Sequence, residues 1–212
     1  MTTTLWSHHT VTIKAVDIAG GLPTDPRLID AWQEARWKAA KIKPEDPQTP
    51  TEASEATKAL LAAVPEEKGW TTFPRDDLGR LCIEGRQIKA MLKESANICK
   101  GIIPIHGKVI PLRSKLAERV FVIERLITLL PERKEADETV ERAIHVVTAQ
   151  GPRDALKRVD ICRDVELVCT LRVLNDGMFT VSILRQLLEH ASSNGLGADR
   201  SQGYGQFEFT IS

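Results

Sequence analysis

The sequence predicts an α+β fold in which an antiparallel sheet is covered by helices on one of its faces. Several short segments alternate apolar with polar residues, as strands with one buried face do. Two longer segments repeat apolar residues every three to four positions, as amphipathic helices do. The predicted order is strand, helix, strand, strand, helix, strand. Helices that return the chain between antiparallel strands collect on one face of the sheet.

The N-terminal part of the chain predicts a strand, a helix and a loop. Residues 8–18 alternate as a strand does, and a Gly-Gly pair follows them. Residues 26–41 are predicted to be helical, because Pro26 suits the first helical turn. Three prolines with Thr, Ser and Glu at residues 43–57 are typical of a flexible loop, and residues 58–63 suit a further helical turn or two.

The middle of the chain predicts a second helix and a strong strand. Residues 85–99 place apolar side chains on one helical face and lysines on another. Glycines and prolines in residues 101–118 predict an irregular insertion rich in cations. Residues 119–130 are predicted to form one strand.

The C-terminal part completes the pattern. Residues 142–162 predict two extended pieces around a turn at Gly151-Pro152, and residues 164–174 alternate as another strand. A helix over 179–193 and a last strand over 204–211 follow. This succession is typical of a ferredoxin-like domain with insertions. We therefore expect a single domain over residues 1–212.

Composition and charge exclude several classes of protein. The 29 Lys and Arg residues balance 29 Asp and Glu residues, so the chain is not a uniformly basic coat protein. Apolar runs are too short for a membrane span, and the N-terminal residues lack the pattern of a signal peptide. We expect a cytoplasmic protein without a membrane partner.

The cysteines and histidines do not predict a metal or another cofactor. The four cysteines form no Cys-x-x-Cys pair and lie among apolar neighbours, which predicts buried, reduced thiols. The five histidines lack the spacing of a zinc site.

A local excess of positive charge predicts a focused basic groove. Residues 85–125 contain nine Lys or Arg residues and three acidic residues. Cations on a helix face beside a basic loop suit a phosphate backbone, because each contact releases condensed counterions. The expected phosphate contacts in this region are Lys89, Lys93, Arg113 and Lys115. The alternative is an ordinary solvated helix face.

The segment GLGADRSQGYGQFEF is a second candidate. Its glycines allow close approach of a bound chain and expose amide groups, and Arg200 can contact a phosphate or stack on a base. The segment follows a helix and precedes a strand, which is opposite to a dinucleotide-binding loop. The alternative is a tight turn without a ligand. The predicted nucleic-acid contacts here are Gly195, Gly197, Arg200, Gly203 and Gly205.

Three further features of the sequence bear on nucleic-acid binding or catalysis. Arg153 lies in a predicted basic hairpin that could clamp a nucleic-acid strand or form an ordinary turn. Trp70, Phe73 and Tyr204 are the aromatic residues expected to stack on bases. His106 and His145 could serve a metal-independent nuclease, but they stand alone, and no catalytic residue is predicted.

Several blocks of the chain resemble a family of bacteriophage and prophage proteins. They are scattered from about residue 11 to 211, outside 43–67, and read GGLPTDPRLIDAW, TFPRDDLGRLCIEGRQIKAMLKESANI, KLAERVFV, ERAIHVVTAQGPRDALKRVD and LLEHASSNGLGADRSQGYGQFEF. The last block is also similar to the signature of the RAMP superfamily, the ferredoxin-like RNA-binding subunits of CRISPR effectors. That resemblance rests on the four glycines and Arg200 of residues 195–205 and on the strand order.

The RAMP resemblance implies binding of RNA or single-stranded DNA along a sheet face and a glycine-rich loop. It also implies self-association, because backbone subunits of that superfamily assemble side by side. No histidine matches the processing members, and no convincing loop aspartate matches the target-cleaving members, although Asp17 and Asp25 lie in that region. We therefore expect a non-catalytic nucleic-acid-binding protein.

Two alternatives stay open from the sequence. One is a protein-interaction module that imitates a CRISPR-type subunit and antagonises a host defence complex, with a host or phage protein as its partner. The other is a metal-independent endoribonuclease.

Overall fold

The structure of the chain is a computed structural model that describes residues 4–23, 70–105, 107–148 and 151–212, with the backbone alone at 143–148 and 151–156. The chain divides into two compact units. The first comprises Met1–Gly21, Phe73–Glu138 and Ile161–Ser212, and the second comprises Leu22–Thr72 and Thr139–Asp160. The expectation of a single domain stays a prediction.

The described residues form an α+β arrangement of strands and helices, as the sequence predicts. In chain order the elements are β1 (Trp6–Ala19), β2 (Leu22–Pro23), β3 (Trp70–Thr72), β4 (Cys82–Glu84), α1 (Gly85–Ile98), α2 (Leu112–Arg119), β5 (Val120–Val122), β6 (Leu126–Thr128), β7 (Glu138–Thr148), β8 (Gly151–Leu174), α3 (Val181–Asn194) and β9 (Phe207–Ile211).

The first unit contains an antiparallel sheet in the order β9-β1-β8-β5. Strand β1 pairs with β8 from Trp6↔Leu174 to Ala19↔Ile161, and with β9 on its other side. Strand β5 pairs with β8 from Val120↔Val173 to Val122↔Leu171. The chain passes from β1 to β5 through α1 and α2, and from β8 to β9 through α3. A second, two-stranded sheet pairs β4 with β6.

Alternation along the strands gives this sheet one buried face and one open face. On β1, Val11 and Ile13 are each 1% exposed, whereas Lys14 and Val16, which follow at even-numbered positions, are exposed. Successive side chains of a strand point to opposite faces, so a period of two separates core from solvent. Helices α1 and α3 supply the other side of the core through fully buried side chains such as Leu92 and Leu188. Each such side chain stabilises the fold by about 1.5–3 kcal/mol.

Both long helices begin at recognisable caps. Glu84 and Gln87 form a reciprocal capping box at the start of α1. The first residue of α1 is Gly85, where a Cβ would collide with the carbonyl oxygen of Glu124. Helix α3 begins where the Thr180 hydroxyl accepts a hydrogen bond from the Ile183 amide at 3.4 Å. These caps fix both helices close to their predicted ranges.

Two predictions for the middle of the chain are wrong in part. Residues 112–119, expected in an irregular insertion, form helix α2. Residues 119–130, expected as one strand, form β5 and β6, which belong to different sheets. The physical reason for the second difference is Glu124. Its carboxylate accepts the Thr170 amide at 2.8 and 3.0 Å, which replaces the next pairing bond between β5 and β8.

Strand β8 is longer than predicted. The pieces expected on both sides of residue 163 form one strand, and the backbone at Asp164 has a φ of 48°. Gly151 and Pro152, expected in a turn, are the first two residues of this strand. Strands β7 and β8 pair with each other, as the predicted hairpin requires, and residues 149–150 lie outside the described residues.

The second unit is organised around a buried carboxylate. Asp160 is 7% exposed and accepts hydrogen bonds from Trp70 Nε1 at 2.9 Å, Thr72 Oγ1 at 2.5 Å and Thr139 Oγ1 at 2.7 Å. A buried carboxylate needs several donors to offset its desolvation. Here β3 and β7 supply the donors to Asp160 on β8, so Asp160 has a structural role.

The predicted buried thiols are confirmed, whereas several other predictions fall outside the description. All four cysteines are buried and reduced, and burial raises the pKa of Cys169 to about 12. None of the described helices is long and apolar enough to cross a membrane. The helix predicted over 26–41, the loop over 43–57, the segment 58–63, Asp25 and His106 lie outside the described residues.

Candidate nucleic-acid interface

The glycine-rich loop after α3 packs against its own chain. A Cβ on Gly197 would lie 2.7 Å from the Ala19 carbonyl oxygen, and one on Gly195 would lie 2.8 Å from the Tyr204 carbonyl oxygen. A Cβ on Gly205 would collide with the Leu196 carbonyl oxygen. These three glycines have positive φ angles that favour glycine. They allow close packing of the loop, whereas the sequence prediction assigned that role to the approach of a ligand.

Backbone hydrogen bonds attach this loop to the end of β1. The Ala198 amide donates to the Ala19 carbonyl at 2.9 Å, and the Gly205 amide donates to the Asp17 carbonyl at 3.2 Å. Gly203 also has a positive φ, of 92°, but it differs from the other three glycines because a Cβ there would meet open space. Gly203 is therefore the glycine of this loop whose surroundings leave room for another molecule.

Arg200 is oriented by an acidic residue of α1. Its Nη1 atom lies 2.7 Å from Glu94 Oε2, and both side chains are partly exposed. The Arg200 hydrogen bond is the main cause that lowers the pKa of Glu94. Glu94 directly follows Lys93, so the loop arginine and the α1 lysine lie in the same region. A phosphate at Arg200 would have to compete with the Glu94 carboxylate.

Lys89 has a structural environment. Its Nζ atom donates to the carbonyl oxygens of Leu116 and Ala117, both at 3.1 Å, and to that of Val120. The first two carbonyls belong to the last turn of α2, where a cation is favoured. Burial and, less strongly, the charge of Lys93 lower the pKa of Lys89 to about 8. We therefore leave Lys89 out of the proposed interface.

Three predicted cations remain on the surface of the two packed helices α1 and α2. Arg113 is exposed, and Lys93 is half-buried. Lys115 lies 3.9 Å from Glu118 in a loose, exposed pair of little energetic value. Within the described part of the chain, no hydrogen bond or ion pair involves the side chains of Lys93, Lys100, Lys108, Arg113 or Arg125. We call Lys93, Arg113 and Lys115 the helix cations.

Sequence reasoning missed a stack of side chains on the open face of the sheet. The rings of Trp6 and Phe121 meet edge to face with centroids 5.7 Å apart. The Arg172 guanidinium carbon lies 4.9 Å from the Trp6 centroid and 5.6 Å from the Phe121 centroid. Because Phe121 pairs with Arg172 and Arg172 pairs with His8, neighbouring strands bring these groups together. We call Trp6, Phe121 and Arg172 the Trp6 stack.

The open face around this stack has the chemistry of a base-binding surface. Arg172 and His8 are exposed, and threonines occupy the neighbouring outward positions of β1, β8 and β9. Aromatic rings and guanidinium planes stack on bases, and hydroxyl groups can hydrogen-bond to base edges. The alternation of residues 8–18 predicts which side chains of the strand face outward, and Trp6 lies before this predicted strand. The alternation does not reveal that a phenylalanine from β5 and an arginine from β8 lie beside Trp6.

The Trp6 stack lies next to helix α2 at the edge of the sheet that β5 forms. Helix α2 leads directly into β5, the strand that contains Phe121. The Lys89 Nζ atom contacts both, since it lies 4.7 Å from the Phe121 centroid and donates to the last carbonyls of α2. A strand of nucleic acid crossing this edge would pass from the stacking groups to the cations of α2.

The aromatic residues expected to stack are placed differently. Phe73 is 1% exposed in the core. Trp70 donates its indole N–H to Asp160 and belongs to the second unit. Tyr204 is half-buried beside the glycine-rich loop. The side chains of Arg153 and His145 lie outside the described residues, so the roles considered for them stay predictions.

Comparisons with known proteins find similarity at the level of structure. No protein-family model matches the chain, and no curated protein matches it. Among solved structures, a similar chain occurs in the "Cryo-EM structure of the Type III-B Cmr-beta bound to cognate target RNA", with 13% sequence identity and a TM-score of 0.49. The alignment covers 98% of this chain and 60% of that chain, so the present chain spans about 60% of the length of the chain it resembles.

Proposed function

We propose that this protein binds single-stranded nucleic acid, RNA or single-stranded DNA, without cleaving it. The observation that carries the proposal is the Trp6 stack on an open sheet face, at the edge next to the helices α1 and α2 that contain the helix cations. We further propose that the first unit is a ferredoxin-like domain of the RAMP type and that the protein is phage-encoded. The strand order β9-β1-β8-β5, with a helical connection after β1 and another after β8, supports the ferredoxin-like part.

The stack supports base binding. Arg172 is exposed, so its guanidinium plane offers a surface on which a base can stack. Stacking of one base on such a group is worth about 1–3 kcal/mol. Stacking tolerates any base, because every base has a π face. We therefore expect weak sequence preference.

The helix cations support phosphate binding. Arg113 and Lys115 lie on the helix that leads into β5, and Lys93 lies on the helix packed against it. Among the described residues, Lys93 and Arg113 have no competing carboxylate. Arg200 is a further contact once a phosphate displaces Glu94. The glycine-rich loop supports the interface by holding Arg200 in place, and Gly203 is its accessible glycine.

The proposal is tested by direct binding. A fluorescein-labelled oligonucleotide of mixed sequence, as RNA and as DNA, is titrated with the wild-type protein at low salt, and the fluorescence anisotropy is recorded. The variants W6A and R172A are compared with R185A, which removes an exposed arginine from α3. We expect W6A and R172A each to weaken binding by about 5- to 150-fold, the equivalent of one lost stacking contact.

R185A should bind like the wild type. Far-UV circular dichroism and a thermal melt establish that each variant is folded. Absence of binding by the folded wild type at low salt would overturn the proposed function. Equal affinity of W6A, R172A and R185A would remove the Trp6 stack from it.

A further inference from the structure

Strand β9 forms one edge of the antiparallel sheet in the first unit, on the opposite side of the sheet from β5. Among the described strands, β9 pairs with β1 alone. The backbones of Thr10 and Ser212 exchange two hydrogen bonds of 3.0 Å. Because hydrogen-bonded and non-hydrogen-bonded pairs alternate along antiparallel strands, the backbone groups of Phe207, Phe209 and Ile211 point away from β1. No hydrogen bond from another described residue reaches these groups.

This edge lacks the features with which proteins usually protect an exposed strand, such as proline, lysine, a bulge or an inward-pointing charge. The sequence of β9, FEFTI, contains neither proline nor lysine. Its register with β1 runs without interruption from Val11↔Ile211 to Ala15↔Phe207. The side chains of β9 that face the core are all apolar. The edge therefore offers three successive sets of unpaired N–H and C=O groups to another extended chain.

The charges on the open face alternate across three neighbouring strands and end on β9. Glu166 of β8, Lys14 of β1 and Glu208 of β9 occupy matching register positions. Lys14 pairs with Glu166 at 3.3 Å. Glu208 is exposed, and it forms no hydrogen bond or ion pair with a described residue. A lysine or arginine on an added strand would continue the alternation beside Glu208, and cross-strand pairs of opposite charge are favourable.

A groove at the start of β9 strengthens the preference for a positive charge. The groove has a volume of about 870 Å³, and its charged side chains are Lys14, Asp164, Glu166 and Glu208. Three carboxylates thus accompany one lysine. This excess of negative charge disfavours a phosphate and favours a cationic side chain. Val16, which is 74% exposed, provides an apolar wall for the methylene groups of such a side chain.

The other face of β9 favours an apolar neighbour. Phe209 packs against the core but is only partly buried. An added strand would place one of its side chains beside Phe209, on the face that the helices cover. An apolar side chain there would complete the burial of the phenylalanine ring. Because successive side chains of a strand point to opposite faces, the edge suits a segment in which basic and apolar residues alternate.

We propose that β9 binds an extended segment of a partner protein as an additional strand, and that lysine or arginine alternates with apolar residues in this segment. In such strand addition, main-chain hydrogen bonds provide affinity, and alternate side chains provide specificity. A second copy of β9 does not meet the requirement, because residues 207–211 contain no cation to pair with Glu208.

This inference does not rest on the proposed nucleic-acid function. Strand β9 contains no residue of the Trp6 stack and none of the helix cations. The binding is therefore tested on protein that a high-salt wash has freed of nucleic acid, as judged from its ultraviolet absorbance. The variants of β9 described below should bind the labelled oligonucleotide as the wild type does. Failure of either proposal is thus distinguishable from failure of the other.

The probe is a fluorescein-labelled peptide of eight residues in which lysine and valine alternate. Its fluorescence anisotropy is recorded during titration with the wild-type protein at low salt. One control peptide has the same composition, with the four lysines followed by the four valines. Another alternates glutamate with valine. The wild type should bind the alternating lysine peptide more tightly than either control, because only that peptide matches both faces of the edge.

Two substitutions test the charge and the backbone of the edge separately. E208K should weaken binding of the lysine peptide by about fivefold or more and strengthen binding of the glutamate peptide, whereas E189K on α3 should do neither. F209P removes an amide that points away from β1, so the pairing of β9 with β1 keeps its hydrogen bonds. F209P should bind about fivefold more weakly than F209A, which removes the same side chain and keeps the amide.

Amide hydrogen exchange shows whether the peptide pairs with the strand. Bound peptide should slow exchange at Phe209 and Ile211, whereas the amide of Thr210 already faces β1. Circular dichroism establishes that each variant is folded. The proposal is overturned if the folded wild type does not bind the peptide, if E208K acts like E189K, or if exchange at Phe209 does not change. A wild-type dimer that F209P dissociates without peptide would assign the edge to a second copy instead.

Discussion

The Nζ atom of Lys89 lies 4.7 Å from the centre of the Phe121 ring. The same atom donates to the last carbonyl groups of α2, at Leu116 and Ala117. One lysine side chain from α1 thus links the C-terminal end of a second helix to an aromatic residue of the edge strand β5. Because Phe121 also touches Trp6, this lysine supports the stacking surface without belonging to it.

Replacement of Lys89 should destabilise the fold in a pH-dependent way. K89M leaves the carbonyl groups of the last α2 turn without their donor, which we expect to cost about 1–3 kcal/mol. The pKa of Lys89 is about 8 in the folded protein, below its ordinary value of 10.5. Between these two pH values the unfolded chain binds more protons than the folded one, so this residue raises the free energy of unfolding as pH increases.

The measurement is urea unfolding of wild type and K89M at several pH values. The free-energy difference in favour of the wild type should be constant below about pH 8 and should grow toward pH 10.5. K134M, which changes an exposed lysine, serves as the control and should show no such trend. A pH-independent difference for K89M would contradict the assignment.

Alanine substitutions at two glycines of the glycine-rich loop should reduce the stability of the protein by very different amounts. At Gly205, with a φ of 80°, a Cβ collides with the Leu196 carbonyl, so G205A should destabilise the protein by about 3 kcal/mol or more. At Gly203, with a φ of 92° but open space, only backbone strain remains, of about 1–2 kcal/mol. Chemical unfolding curves of the two variants provide the comparison. Equal losses of stability would show that the packing of the loop is not as described.

Removal of the Glu94 carboxylate should strengthen nucleic-acid binding through Arg200. E94Q releases the arginine from its 2.7 Å ion pair, and such partly exposed pairs are worth up to about 1 kcal/mol, a factor of about five in affinity. Anisotropy titrations of E94Q, R200A and E94Q/R200A test this expectation. E189Q removes one exposed charge from α3 and serves as the control. If E94Q tightens binding as much without Arg200 as with it, Arg200 is not a phosphate contact.

The salt dependence of nucleic-acid affinity should distinguish the contribution of the helix cations from that of the Trp6 stack. Each phosphate contact with a single strand contributes a slope of about −0.7 to the plot of log K against log salt concentration. R113A/K115A should therefore reduce the steepness by about 1.4, which is two contacts at that value. W6A should lower the affinity and leave the slope unchanged, because stacking releases few counterions. A slope that R113A/K115A does not change would exclude both residues from phosphate contact.

Local sequence was sufficient to predict β1, α1 and α3, whereas α2 falls in a segment that it predicts to be irregular. The alternation of Val11 and Ile13 identifies β1, and the spacing of Ile88 and Leu92 identifies α1. Such patterns involve residues close together in the sequence, because a strand or a helix repeats its geometry every few positions. The order of elements followed in the same way. The break between β5 and β6 could not be predicted, since it depends on Glu124 contacting an amide 46 residues away.

The candidate site was predictable only in part. Its residue types were visible as an excess of lysine and arginine in residues 85–125, but their partners were not. Lys89 and Lys93 look equivalent in the sequence, yet one is held by three carbonyl groups and the other has no hydrogen-bond or ion-pair partner among the described residues. The difference arises because α2 packs against one side of α1.

The sequence by itself determined the α+β class, the buried faces of the strands and helices, and the concentration of positive charge. Periodicity and composition can be determined from the sequence alone, because neither depends on which residues meet in the fold. Only the tertiary structure decided that the loop glycines pack against Ala19 and Leu196, and that Trp6, Phe121 and Arg172 form one stack. Those contacts join residues far apart in the chain, and sheet pairing and helix packing alone bring them together.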